Sequence, residues 1–211
     1  MAIVEDKDCL NCPRLREFIL GNRDIYPDFY NAPVPSFGDK SGELLIVGLA
    51  PGLKGANRTG RPFTGDYAGE LLYQTLLGFG FASGEYKASP DDGLVLKNCR
   101  ITNAVRCVPP QNKVTGEEIK NCNHKLKAEI ASMPNLRIIM ALGTVAHGAV
   151  LNAFKVKKSA FPFAHGKLHK NIADNVSLID CYHCSRYNTN TGVLTDTMFH
   201  DVFRDIQSYL F

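Results

Sequence analysis

Gly48-Leu49-Ala50-Pro51-Gly52-Leu53-Lys54-Gly55-Ala56-Asn57-Arg58-Thr59-Gly60-Arg61-Pro62-Phe63-Thr64-Gly65-Asp66 is the stretch on which the fold turns. It follows Leu44-Leu45-Ile46-Val47, an unbroken apolar run that reads as a buried parallel strand. Its glycines let the backbone turn sharply and come close to a ligand. The same loop carries Arg58, Arg61, Phe63 and Asp66. Such groups can hold a phosphate, stack on a flat ring and handle water or a developing cation. Composition alone fits an ordinary strand-to-helix loop equally well.

Outward from this loop the chain alternates. Apolar runs at 44–47, 99–105, 136–142 and 176–181 read as strands. Helical patterns cover 12–21, 68–78, 115–132, 144–154 and 194–210. The helix at 115 opens Thr115-Gly116-Glu117-Glu118, with acids in the first turn, where the helix dipole favours them. This alternation predicts a three-layer α/β/α fold with a central four-stranded parallel sheet. Ligands in such sheets sit at the carboxyl ends of the strands, and the unusual loops lie there. The Pro- and Gly-rich segment 31–42 is a loop between the N-terminal helix and the first strand. Residues 1–211 are expected to form a single domain with an N-terminal metal-binding segment.

Apolar residues make up 45% of the chain and charged ones 21%, a globular composition. The net charge of +3 permits nucleic-acid binding without requiring it. No apolar run approaches the roughly 20 residues that span a bilayer. The N-terminus lacks the charged-then-apolar layout of a signal peptide. The expected setting is cytoplasmic, with no membrane partner. Seven cysteines in such a chain favour metal binding over disulfides.

Cys9-Leu10-Asn11-Cys12 puts two thiols on one tight turn, and Cys107 and Cys122 could supply two more. Four thiolates suit tetrahedral zinc or a cubane iron–sulfur cluster, and spacing does not choose between them. Cys181 and Cys184 form a rival pair, and Cys99 reads as core. After the last strand, Tyr182-His183-Cys184-Ser185-Arg186-Tyr187-Asn188 gathers a histidine, a hydroxyl, an arginine and an amide. Asn103 ends the second strand, and its amide offers one acceptor and two donors.

The order of residues in these segments resembles the uracil-DNA glycosylase superfamily, and more narrowly its iron–sulfur family 5, or b-type. Gly48-Leu49-Ala50-Pro51 with Asn57-Arg58-Thr59-Gly60-Arg61-Pro62-Phe63-Thr64-Gly65-Asp66 is similar to that family's first motif. His183, Ser185, Asn188, Thr191 and Gly192 match its second, with Cys184 where the family has proline. That change removes a fixed φ and adds a backbone donor. Ile101-Thr102-Asn103-Ala104-Val105-Arg106-Cys107 and the Cys107–Cys122 segment are also similar to the family, so the resemblance spans nearly the whole chain.

The resemblance implies a DNA repair enzyme that flips uracil and other deaminated bases from duplex DNA and hydrolyses the N-glycosidic bond. It implies a [4Fe–4S] cluster on Cys9, Cys12, Cys107 and Cys122 in a structural role. Asp66 and His183 would be catalytic. Ala50, Phe63 and Asn103 would form the base pocket, with Asn103 reading the O4 and N3–H edge. Arg58, Arg61, Arg186, Tyr187 and Asn188 would contact DNA, Tyr187 as a wedge. A nucleoid-associated monomer is expected. Related enzymes carry an acid or asparagine in place of Ala50, an absence that marks family 5. Rival readings are a family 4 enzyme and a non-catalytic iron–sulfur or zinc module that binds nucleic acid. A nucleotide-binding α/β domain lacks its Walker or Gly-x-Gly-x-x-Gly pattern here.

Overall fold

The computed structural model describes residues 7–173 and 175–211. The first element is helix α1 (Pro13–Ile25), opened by Pro13, whose fixed φ suits a helix start. It buries Leu15, Ile19 and Asn22, one stripe at helical spacing. Strand β1 (Phe37–Gly38) precedes β2 (Leu44–Gly48), all five residues of which are buried. The glycine-rich loop then holds a single helical turn, α2 (Ala56–Thr59), before α3 (Tyr67–Gly78). A short ribbon, β3 (Ala82–Ser83) and β4 (Val95–Leu96), leads to β5 (Cys99–Asn103).

Helix α4 (Gly116–Ala131) starts with a capping box. Thr115 Oγ1 accepts from the Glu118 N–H, and the Glu118 carboxylate accepts from the Thr115 N–H. The chain continues through β6 (Ile138–Leu142), α5 (Thr144–Ala153), β7 (Leu168–Ala173), β8 (Val176–Cys181), α6 (Arg186–Asn190) and α7 (Asp196–Leu210).

The main sheet has the order β1-β5-β2-β6-β8-β7. The inner four strands are mutually parallel, as expected. Antiparallel edges at β1 and β7 widen the sheet to six strands. Neither edge is an apolar run. β1 has two residues, and β7 is polar and carries a register shift between His169 and Ala173.

Alternate residues of the buried strands point to opposite layers. Leu44, Ile46, Ile138 and Met140 pack with Leu72, Tyr73, Phe199 and Phe203 of α3 and α7. Leu45, Val47, Ile139 and Ala141 pack with Leu126, Val150 and Leu151 of α4 and α5. The fold is a three-layer α/β/α sandwich. A third, smaller cluster joins Leu15 of α1 to Val105 and Cys122, with Cys12, Ala50 and Cys107 against it. None of the described helices is long and apolar enough to cross a membrane.

Buried Asp180 on β8 accepts from His147 Nδ1 (2.6 Å), His169 Nε2 (2.9 Å) and the Ala164 N–H (3.2 Å). The first two are hydrogen-bond distances. Ligands around one tetrahedral zinc with bonds of about 2.0–2.1 Å lie about 3.3 Å apart. The triad therefore fixes the 164–166 turn and β7 to the sheet as a hydrogen-bond network.

Candidate functional site

A cleft of about 660 Å³ opens at the carboxyl ends of β2 and β8. Its walls include Ala50, Gly55, Asp66, Tyr67, His183 and Arg186. The first and second motif loops thus face each other, and the 107–112 segment closes a third side through Pro109 and Asn112.

Asp66 caps α3: its Oδ1 accepts from the Gly69 N–H at 3.1 Å. Its Oδ2 approaches the glycine-rich loop. A Cβ on Gly55 would lie 2.3 Å from that oxygen and one on Gly52 3.2 Å from it. Gly55 is therefore required for the approach, because no real Cβ tolerates such a contact. Burial pushes the Asp66 carboxyl above its usual range, opposed by the amides of Gly69 and Ala68.

Asn103 and Gly48 are register partners across β5 and β2. A Cβ on Gly48 would lie 2.4 Å from Asn103 Oδ1 and 2.4 Å from the ring of Phe63. Gly48 is what lets the amide and the ring meet. Phe63 itself sits at φ 54, a left-handed conformation that costs about 1–2 kcal/mol for a side-chain residue. Its carbonyl accepts from the Tyr86 hydroxyl at 3.4 Å, and its ring lies 6.1 Å from that of His183, inclined by 30°. Phe63, Asn103 and His183 thus converge.

Two polar groups that meet here are left open by the protein. Asn103 is 3% exposed, yet among the described residues its side-chain amide makes no hydrogen bond. The imidazole of His183 makes none either, although its backbone carbonyl accepts from Asn188 Nδ2 at 2.8 Å. Burial depresses the His183 pKa to about 4, so the ring is neutral near pH 7. Buried polar groups are ordinarily satisfied. An unengaged amide and imidazole beside one aromatic face are equipped for a flat, hydrogen-bonding ligand.

Two of the predicted DNA contacts are engaged within the protein. Arg61 is 5% exposed, and its guanidinium grips Asp92 through two bonds of 2.8 and 2.7 Å. It also lies 5.1–5.9 Å from the rings of Phe37, Tyr73 and Tyr86. Its charge frames the loop from beneath and does not reach solvent. Asn188 is turned inward, its side chain on the His183 carbonyl and its N–H on Ser185 Oγ. Arg58, Arg186 and Tyr187 are exposed, Tyr187 to 74%. Ala50 lines the cleft without a polar atom.

Sequence reasoning missed Tyr67, Lys54 and Asn112, all in the cleft wall. The signal for Tyr67 was an aromatic directly after the capping aspartate. Asn112 follows Gln111, and both take positive φ (57 and 53). Cys184 fills the proline position: its thiol is buried and contacts the Ala68 carbonyl at 3.5 Å, tying the second motif to α3.

Cys9, Cys12, Cys107 and Cys122 line one cavity beside α1 and α4, all as free thiols. Burial pushes the Cys107 thiol well up, and neighbouring Cys122, Cys9 and Cys12 push it further. Four mutually repelling thiolates need a cation, and a bound metal reverses that sign. The residues fit such a group. Among the described residues, the one trio of candidate ligand atoms within 4.8 Å of each other is His147, His169 and Asp180. Cys181 and Cys184 lie buried away from this cavity.

The family model described as the Uracil DNA glycosylase superfamily matches residues 35–207. A type-5 uracil-DNA glycosylase of Thermus thermophilus is 43% identical over 93% of this chain and 91% of its own length. One of Pyrobaculum aerophilum is 36% identical over 93% and 87%. A type-4 uracil-DNA glycosylase of Archaeoglobus fulgidus is 30% identical over 71% and 69%. With its sandwich fold and the convergence of both motif loops on one cleft, the chain belongs to the uracil DNA glycosylase superfamily.

Proposed function

We propose that this chain is a DNA repair glycosylase of the type-5 kind, which hydrolyses the bond between a deaminated base and its deoxyribose. The observation that carries the reading is the unengaged amide of buried Asn103 beside Phe63 and His183. A base within a duplex lies out of reach of such a pocket, so the nucleotide must flip, at a cost of a few kcal/mol.

Phe63 stacks on the flipped ring and Asn103 bonds its O4 and N3–H edge. As the C1′–N bond breaks, its electron pair leaves on the base and the sugar becomes cationic. Neutral His183 donates a hydrogen bond to the base oxygen that gains charge. The Asp66 carboxylate offsets the sugar cation and orients the water whose oxygen joins C1′ and whose proton it accepts. Ala50 places no polar group in the cleft wall, which suits bulkier deaminated bases such as hypoxanthine as well as uracil. The type-5 reading is preferred to type 4 because the type-5 relatives align over more of the chain at higher identity.

The four cysteines would hold a [4Fe–4S] cluster that clamps α1 to the 107–122 segment. The type-5 relatives and the resemblance of the Cys107–Cys122 segment support a cluster over a single zinc. The chain would act as one domain and as a monomer on duplex DNA in the nucleoid.

Single-turnover excision of uracil from a duplex tests the assignment. Asp66→Asn preserves a good helix cap while removing the charge. It should slow excision by about 100-fold or more, as should His183→Ala. Unchanged rates in folded variants would overturn these roles. Absorption near 400 nm with iron and sulfide in the protein supports the cluster, and zinc alone refutes it.

A further inference from the structure

We propose that Tyr67 is a positioning residue: its ring holds the Arg186 guanidinium over the cleft mouth, ready for a phosphate of the extruded nucleotide. This inference rests on the glycosylase reading above.

Two helix starts meet across the cleft. α3 begins at Tyr67, directly after the Asp66 cap, and α6 begins at Arg186, directly after the Ser185 cap. All four residues line the cleft. The guanidinium carbon of Arg186 sits 5.2 Å from the centroid of the Tyr67 ring, which is itself 37% exposed. The pair bridges the first and second motif loops above Asp66 and His183.

Arg186 differs from the chain's other positioned arginines. Arg61 and Arg106 are buried on carboxylates. Arg186 is exposed and, among the described residues, forms no ion pair or side-chain hydrogen bond. The nearby acid, Asp66, is turned toward Gly55 and the α3 amides. Contact with the ring gives the guanidinium N–H groups no acceptor, so its fork stays open to phosphate oxygens, whose geometry it matches. An arginine already held by a ring loses less rotamer freedom when it binds than a wandering one. The aromatic face is the feature that matters, so the hydroxyl of Tyr67 is dispensable.

A double-mutant cycle on DNA binding reads this directly. The probe is a duplex carrying one 2′-fluoro-2′-deoxyuridine, which resists hydrolysis, titrated across a salt series. Arg186→Ala should weaken binding and lower the slope of log affinity against log salt by about one. Tyr67→Leu and Tyr67→Gln, read side by side so that a folding defect in one leaves the other, should each weaken binding about two- to five-fold. Tyr67→Phe should match the parent. Tyr67→Leu combined with Arg186→Ala should bind like Arg186→Ala alone.

Multiplicative losses in the double variant would overturn the proposal. So would a Tyr67→Phe defect equal to that of Tyr67→Leu. If the parent excises uracil and the cycle is multiplicative, this inference alone falls. If the parent neither binds nor excises, the glycosylase reading falls with it.

Discussion

The cysteine cavity and the cleft share walls yet are held together by opposite means. Ala50 packs against the cysteine-side cluster and also lines the cleft. The 107–112 segment leaves the first at Cys107 and enters the second at Pro109 and Asn112. The cleft is fixed by the chain's own bonds: Asp66 on Gly69, Asn188 on the His183 carbonyl, and Tyr86 on the Phe63 carbonyl. Its reading groups are left open. The cysteine cavity gathers thiols that repel one another when ionised. Protein contacts beside it include Arg14 on Glu118 and Asn121 on the Asn11 carbonyl. One region is preorganised for a visitor, and the other is the place proposed for a resident metal centre.

Removing the resident should have the largest effect. Chelation, or Cys107→Ser, is expected to free α1 and the 107–112 segment, because the binding energy of the proposed centre would be folding energy. Hydrogen exchange should show residues 7–25 losing protection while the inner strands keep theirs. Loss of protection everywhere at once would break the distinction between the two regions.

The next effect tests what frames the cleft from beneath. Arg61→Leu leaves Asp92 buried without its partner and should cost about 3–5 kcal/mol in denaturant unfolding. Arg58→Ala, an exposed neighbour in the same loop, should stay within about 0.5 kcal/mol. Equal losses would mean that the loop, not the buried pair, supplies the frame.

Gly48→Ala probes the meeting of ring and amide. Its Cβ must displace Phe63 or Asn103, so uracil excision should fall about 100-fold, the size of losing one positioned hydrogen-bonding group. The Thr115 cap and the cysteine cavity lie elsewhere, so the iron content should not change.

These contrasts also mark what the sequence could disclose. Leu44 to Val47 announced a buried strand because parallel interior strands are apolar on both faces. The Cys9–Cys12 spacing suggested one metal-binding turn, and only the family resemblance joined Cys107 and Cys122 to it. Arg58 and Arg61 looked alike because each lies in one glycine-rich loop. What separates them is Asp92, distant in sequence and brought near by the β3–β4 ribbon. Helix α6 was hidden because Arg186-Tyr187-Asn188-Thr189-Asn190 buries no side chain and so shows no apolar period. The same hidden helix turned Asn188 inward. Its capping partner Ser185 sits where a loop reading sees only motif residues.

The last effect is a pH dependence, and its sign separates two groups within the cleft. His183 has a folded pKa of about 4, against about 6.5 in an unfolded chain. Below about pH 6.5 the unfolded chain takes up a proton that the folded chain refuses. Stability therefore falls as pH drops from about 6.5 toward 4, and the loss levels off below that. Asp66 acts in the opposite sense in the acid range, since its folded pKa is raised and protonation relieves its burial. Subtracting the unfolding profile of His183→Phe from that of the parent isolates the histidine. The difference should be flat above about pH 7 and should change steadily between about 6.5 and 4. A difference that instead stays flat across the whole range would place the ring in water, with the same pKa folded and unfolded, where it could not serve a buried base as the neutral donor.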